Sequence, residues 1–232
     1  MPFTDSIPVS SHSVDGSLAP QIPVIGIVGG IGAGKSTVVR NSGRYRLLIL
    51  DADVIGHEQL CKSHIQAALR REFGSPVFNE NGEIDRARLA AVVFGDSAEH
   101  TDALKRLEAI VHPAIRHEMR DRLLAAGHHE IDALVVDAPL LLEAGWNELC
   151  DTVVFIDTKE EIRRQRIKDR GWSSEQFERR EAAQWSVDRK KSAADYIITN
   201  NTTLEAAANQ FDSVVAELIG RDSSGTDGAG PA

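Results

Sequence analysis

The chain has 232 residues, 42% of them hydrophobic and 26% charged, with a formal net charge of −9. That length and apolar share can bury one good core with room for an inserted subdomain. No apolar run approaches the roughly 20 residues of a membrane span, and the acidic balance argues against general affinity for nucleic acid or anionic membrane. Cys61 and Cys150 stand far apart and outside any C-x-x-C spacing, which suggests neither a zinc site nor a disulfide framework and makes the cytosol the default expectation.

Residues 1–21 are polar, with Ser and Pro throughout, and lack the basic start and apolar stretch of a secretory signal, so they read as a disordered extension. Ile22 to Val28 is an apolar run that reads as a buried parallel strand. It feeds Gly29-Gly30-Ile31-Gly32-Ala33-Gly34-Lys35-Ser36-Thr37, which fits G-x-x-x-x-G-K-[ST] with strand, glycine loop and helix start in the right order. A loop that wraps phosphate must turn its backbone N–H groups inward and take φ > 0 conformations that a Cβ would penalise. Lys35 is placed to reach the β- and γ-phosphates, Ser36 to offer its hydroxyl to Mg²⁺, and the helix to point its positive end at the anion.

The helix after Ser36 has little room, because Asn41-Ser42-Gly43 carries strong stop signals. Leu47 to Leu50 gives a second strand ending at Asp51-Ala52-Asp53, whose carboxylates face the crevice where α/β proteins bind ligands; residues two apart on a strand share a side. From 54 to 130 the chain reads as helical. Ile65, Ala68, Leu69 and Phe73 keep a 3.6-residue spacing, Asn81-Gly82 makes a turn, and Asp85 caps a helix carrying Leu89, Val92 and Val93. Leu104, Leu107, Ile110 and Val111 mark a longer helix, expected to break at His112-Pro113 before Ile115, Met119 and Leu123 resume the stripe. Such a block inserted between strands of a parallel sheet suits a cover for the phosphoryl acceptor.

Strands return at Ala133 to Asp137, Thr152 to Asp157 and Tyr196 to Thr199. Thr158-x-x-Glu161 and Ser173-x-x-Gln176 read as capping boxes opening two helices. The segment 159–192 is net positive in an acidic chain. Most of its charges belong to solvated faces, but Arg166 and Arg170 share one helical face at i, i+4 and suit a lid over a triphosphate. Residues 221–232 are too poor in apolar side chains to pack and read as a disordered tail. The whole is an α/β fold: a doubly wound parallel five-stranded sheet of the P-loop NTPase type, with a helical substrate-binding insertion and a helical lid. Its nucleotide-binding core takes in 22–53, 131–158 and 193–220, the acceptor-binding insertion 54–130 and the lid 159–192.

With these residues assembled, the chain closely resembles the dephospho-CoA kinase family from about Pro23 to about Asn201. The motifs are GIVGGIGAGKST (Gly26 to Thr37), LDAD (Leu50 to Asp53), NGEIDRARL (Asn81 to Leu89), EAIVHP (Glu108 to Pro113), PLLLE (Pro139 to Glu143), QRIKDR (Gln165 to Arg170) and ADYIITNN (Ala193 to Asn201). The P-loop is shared widely, whereas Asp-Ala-Asp, His-Pro and Pro-Leu-Leu-x-Glu in this order are specific. The resemblance implies ATP with Mg²⁺ as donor, dephospho-CoA as acceptor, and a mobile lid. It implies Lys35, Asp53 and Arg166 as catalytic residues, with Asp53 near the ribose 3′-hydroxyl, and Arg86 and His112 on the acceptor side. It adds Asn200 to the loop residues as a nucleotide contact, while Arg170 joins them on its spacing from Arg166. Asp51 and Asp137 are open to two roles, as water ligands of the metal or as caps of neighbouring backbone.

Two other readings share the core. Another small-molecule or nucleoside monophosphate kinase would be separated by its acceptor. A nucleotide-binding regulatory switch would need no helical insertion, and the N-K-x-D signature of a GTPase is absent. Nucleic acid, membrane and protein partners are not implied.

Overall fold

The computed structural model describes residues 22–95, 97–126 and 130–224. Strands β1 (Val24–Val28), β2 (Leu47–Asp51), β3 (Ala133–Asp137), β4 (Thr152–Asp157) and β5 (Tyr196–Thr199) form one parallel sheet in the order β2-β3-β1-β4-β5. Helices alternate with them: α1 (Lys35–Asn41), α2 (Ala52–Leu60), α3 (Ser63–Phe73), α4 (Arg86–Val93), α5 (Ala98–Ala126), α6 (Glu160–Asp169), α7 (Ser174–Ala182), α8 (Val187–Ser192) and α9 (Leu204–Ser224).

Strands covered on both faces read as continuous apolar runs, and the sheet is covered in this way. Ile25, Ile27, Val135, Val154 and Ile156 face one side and pack with Val38 of α1 and Phe211 and Val215 of α9. Their neighbours Val28, Val136, Val153 and Phe155 face the other and pack with Ile55 of α2 and Val111, Ile115 and Met119 of α5. The alternation follows the period of 2 of a pleated strand. The chain leaves β1 for β2 on one side and later crosses from β3 to β4 on the other. The crevice at the carboxyl ends of β1 and β3 is therefore the topological switch point, where ligands bind in open α/β sheets.

A third cluster, Ile65, Leu69, Val77, Phe78, Leu89, Val93 and Ala103, joins α3, α4 and the first half of α5 into a smaller unit. Packing thus divides the expected insertion 54–130, because α2 and the second half of α5 lie on the sheet. The smaller unit is also not wholly helical: Phe78 and Ile84 form an isolated antiparallel bridge across the Asn81-Gly82 turn.

Four expectations need correction. Helix α5 does not break at His112-Pro113 but runs through Pro113 for 29 residues. A helix-interior proline forfeits one hydrogen bond at about 3 kcal/mol. Here Ala109 and Pro113 are exposed, leaving the freed carbonyl to water, while Val111, Ile115 and Met119 are buried on the opposite stripe at roughly 1.5–3 kcal/mol each. Thr158 does not open a capping box; α6 starts from Lys159 without a side-chain cap, and the Thr158 hydroxyl donates instead to the Ala33 carbonyl at 2.9 Å. Asp53 is not on a strand with Asp51, since β2 ends at Asp51 and Asp53 is the second residue of α2. Helix α9 continues to Ser224, past residue 221 where the tail was expected to begin. The extension 1–21 and residues 225–232 lie outside the described residues. The short α1, the Asp85 cap of α4 and the Ser173–Gln176 capping box are as the sequence predicts.

Candidate active site

The loop from Gly29 to Gly34 leaves β1 at the switch point and enters α1. Gly34 holds φ 87°, a left-handed conformation that admits glycine without strain, and its carbonyl accepts the Val38 N–H at 2.9 Å to start the helix. The Ile31, Gly32 and Ala33 carbonyls are taken by side-chain donors from behind. Arg163 Nη1 donates to the Ile31 carbonyl at 3.2 Å, and Arg166 Nη1 to those of Gly32 at 3.3 Å and Ala33 at 3.0 Å. Asn200 Nδ2 reaches the Ala33 carbonyl at 2.8 Å, alongside Thr158. The Ala33 N–H closes a turn onto the Gly30 carbonyl at 3.1 Å, and the remaining loop N–H groups are left for an anion. A Cβ at Gly30 would sit 2.5 Å from the Arg163 guanidinium, so a side chain there would have to displace that group.

Lys35 and Ser36 open α1. The Lys35 ammonium makes one long contact, 3.4 Å to the Gly29 carbonyl. Burial lowers its pKa; Asp137, Asp53 and Glu143 oppose this, and Lys190 adds to it. A desolvated ammonium with one weak partner is available to a phosphate. Ser36 Oγ donates to Asp137 Oδ2 in a short hydrogen bond, and Asp137 is buried at the end of β3. Thr37 follows on the exposed side of α1.

Asp51 and Asp137 are register partners across β2 and β3, and the structure gives them different work. Asp51 is the N-cap of α2: its Oδ1 accepts from the N–H groups of Asp53 at 3.0 Å and Val54 at 3.1 Å, and Oδ2 lies 3.7 Å from Arg40. Of the two, Asp137 is the carboxylate in contact with Ser36. Asp53 stands one step beyond, exposed at its outer edge. Partial desolvation raises its pKa, the Asp51 and Asp137 carboxylates push the same way, and His57 and Lys35 pull against them.

On the lid side, Arg166 reaches the loop from the last turn of α6. Arg170, the C-cap of that helix, is exposed and close enough to add to the lowering of the Arg166 pKa that burial begins. Of the residues expected on the acceptor side, His112 meets Trp146 edge to face at 5.1 Å, and burial lowers its pKa against Glu108. Arg86 stands exposed at the first position of α4, in the smaller unit rather than on the loop.

Sequence reasoning missed three participants. Arg163 stands in a run that reads as a solvated basic face, yet it is 4% exposed and ties the loop to Glu181 of α7. Thr158 was assigned to a cap. Lys190, also in the basic run, is 1% exposed. Nothing in residue type separates these cations from their exposed neighbours.

A family model described as dephospho-CoA kinase matches residues 23–206. A dephospho-CoA kinase of Rhodopirellula baltica is 35% identical over 201 residues, covering 87% of this chain and 93% of the relative. A crystal structure from Thermus thermophilus superposes with a TM-score of 0.69 at 32% identity, covering 85% of this chain and 98% of the other. A dephospho-CoA kinase structure from Campylobacter jejuni gives 0.56 at 25% identity, with 85% and 98% covered. The P-loop built on β1 and α1, the Ser36–Asp137 pair and these matches lead to one conclusion: the chain belongs to the dephospho-CoA kinase family.

Proposed function

We propose that this kinase transfers the γ-phosphoryl group of ATP in line to the ribose 3′-hydroxyl of dephospho-CoA, giving coenzyme A and ADP, with Lys35, Asp53 and Arg166 as its catalytic residues. The observation that carries this reading is the convergence of Lys35, Ser36, Asp137 and Asp53 at the carboxyl ends of β1, β2 and β3. Transition states of phosphoryl transfer are largely dissociative, so positioning and charge neutralisation carry most of the catalysis. The loop N–H groups and Lys35 bind the phosphates. Asp53 orients the hydroxyl and accepts its proton at a carboxylate oxygen; its raised pKa brings it nearer to operating pH as a base. Arg166, with Arg170 beside it, adds positive charge from the lid.

The donors beside the loop suit Mg²⁺, which prefers hard oxygen ligands: the Ser36 hydroxyl and the Asp137 carboxylate already touch. When bound with ATP, that ion would neutralise charge on the β- and γ-oxygens. Ser36 would be its direct ligand and Asp137 would hold its water, a role for which Asp51, occupied as a cap, is less well placed. His112 and Arg86 belong to the acceptor side of the same proposal, and Asn200 to the nucleotide side. Among the described residues no helix is long and apolar enough to cross a membrane. Both cysteines are free, which supports a cytoplasmic setting.

The test is ADP formation with dephospho-CoA in competition with AMP, shikimate and adenosine. Turnover confined to dephospho-CoA is expected. A preference for any of the other three would overturn the assignment of the acceptor.

A further inference from the structure

Lys190 is the most deeply buried cation among the described residues that the reaction does not use. It sits on α8, in the segment that returns from the lid to β5, and its ammonium has three acceptors. Nζ donates to the Pro139 carbonyl at 3.0 Å and to Gln184 Oε1 at 2.8 Å, and lies 3.0 Å from Glu143 Oε1. All three donors of the ammonium are thereby matched. Glu143 Oε1 also accepts the Trp185 N–H at 2.8 Å, while its Oε2 is buried without a partner.

These contacts are directional. Pro139 lies two residues beyond Asp137 and Glu143 lies within the turn that follows, so one cation grips two points of the stretch leaving β3. The backbone of Lys190 belongs to α8, and Trp185 just before that helix holds the same Glu143 through its own N–H. A buried ion pair is weak evidence for stability, since an apolar side chain of similar volume often serves as well. What this pair supplies is a fixed geometry for the strand end that holds Asp137 against Ser36. Its charges also reach Lys35, whose pKa, lowered first by burial, is lowered further by Lys190 and raised by Glu143.

We propose that Lys190, with Glu143 as counter-ion, is a positioning residue for phosphoryl transfer, fixing the stretch from Asp137 to Glu143 so that Asp137 stays against Ser36. The inference rests on the reading of Ser36 and Asp137 as part of the nucleotide site. It assigns a role to the glutamate of the Pro-Leu-Leu-x-Glu motif and to a lysine of the basic run.

The experiment is a double-mutant cycle in kcat, with KM for both substrates and melting temperature measured on each variant, assayed well below the lowest melting point. Lys190→Met should lower kcat by about 10- to 100-fold, the scale of a small misplacement at the reacting centre, with KM for dephospho-CoA nearly unchanged. In an Asp137→Asn background the same substitution should add less than about twofold, because coupled residues are not additive. Should Lys190→Met fail to fold, Glu143→Gln replaces it in the cycle; it keeps the volume and a hydrogen-bond acceptor and removes only the charge. Losses that multiply with Asp137→Asn overturn the inference while leaving the reading of the site intact. A lowered melting point with unchanged kcat also overturns it, since that is a purely structural role. Full activity in Asp137→Asn alone removes both the inference and the site reading beneath it.

Discussion

Asp53 stands at the second position of α2, with the Asp51 and Asp137 carboxylates at the adjacent strand ends and His57 and Lys35 opposing them. Its raised pKa means that the folded protein holds this proton more tightly than the unfolded chain does. Ionisation therefore costs stability: the cost is complete above the folded pKa and vanishes below the unfolded value of about 3.9. Asp53→Asn should melt higher than the parent at neutral pH, with the gap closing as the pH falls towards about 4. The same variant should lose about 10²- to 10⁴-fold in kcat with little change in the binding of either substrate, the usual range for a general base. Thermal melts at two pH values and steady-state kinetics check both halves. A variant that is slow and also less stable at neutral pH would mark Asp53 as a structural carboxylate. Asp51 should behave differently. Asparagine caps a helix as well as aspartate does, so Asp51→Asn should change little, whereas Asp51→Ala should cost about 1 kcal/mol in denaturant unfolding. Asp137→Asn, by contrast, should be partly rescued in kcat by raised Mg²⁺ or Mn²⁺. Metal rescue of Asp51→Asn instead would exchange the two roles.

At the scale of elements, α6 and α7 matter because the P-loop leans on them. Arg163 is held on four sides: by the Ile31 carbonyl, by Glu181, by the Phe177 ring 5.6 Å from its guanidinium, and by Gly30 packed against it. Phe177 and Glu181 are i, i+4 on α7, so one face of that helix grips one arginine. The two partners are not equivalent, since the Arg163 side chain is 5% exposed and that of Glu181 is 26%. Removing the glutamate strands a cation that cannot turn to water, while removing the arginine leaves a carboxylate that can. Glu181→Ala should therefore be the more destabilising change. It should approach the roughly 3–5 kcal/mol of a broken buried pair, and Arg163→Met should fall well short of that. Denaturant unfolding of the two single variants decides it; equal losses would mean that Arg163 is held by its packing rather than by charge. The order and type of these elements were legible in the sequence because capping and periodicity are local. Ser173 and Gln176 sit within one turn of each other and fix the start of α7. Pro113 was misread for the complementary reason: the local rule is right about the cost, and only packing that brings Val111, Ile115 and Met119 onto the sheet shows what offsets it.

Across the whole molecule, the five strands and the phosphate loop follow from runs of residues that carry their own signal, whereas the contacts of the lid do not. Its arginines and lysines have the same composition whether they are solvated, buried against the loop like Arg163, or stacked on an aromatic ring like Arg180 on Trp172 at 4.1 Å. The fold decides among these by bringing the end of β4 and helix α6 behind the loop, a contact spanning more than a hundred residues of chain. Arg166 is the member of this set for which we propose a second use, in catalysis. Its guanidinium is tied to the Gly32 and Ala33 carbonyls, on a helix that continues into Arg170 at the lid. A group held next to the phosphates, but spent on backbone until charge develops there, contributes more to the transition state than to the ground state. Arg166→Ala should therefore depress kcat more than ATP affinity. Arg180→Ala should cost only the roughly 0.5–1 kcal/mol of an exposed cation–π contact and leave kcat nearly intact, and Arg179→Ala should change turnover little. Nucleotide binding and turnover, measured side by side on the three variants, separate the cases. A loss in kcat at Arg179 or Arg180 equal to that at Arg166 would show the segment acting as a diffuse basic surface. A loss at Arg166 confined to ATP affinity would make it a ground-state support of the loop and nothing more.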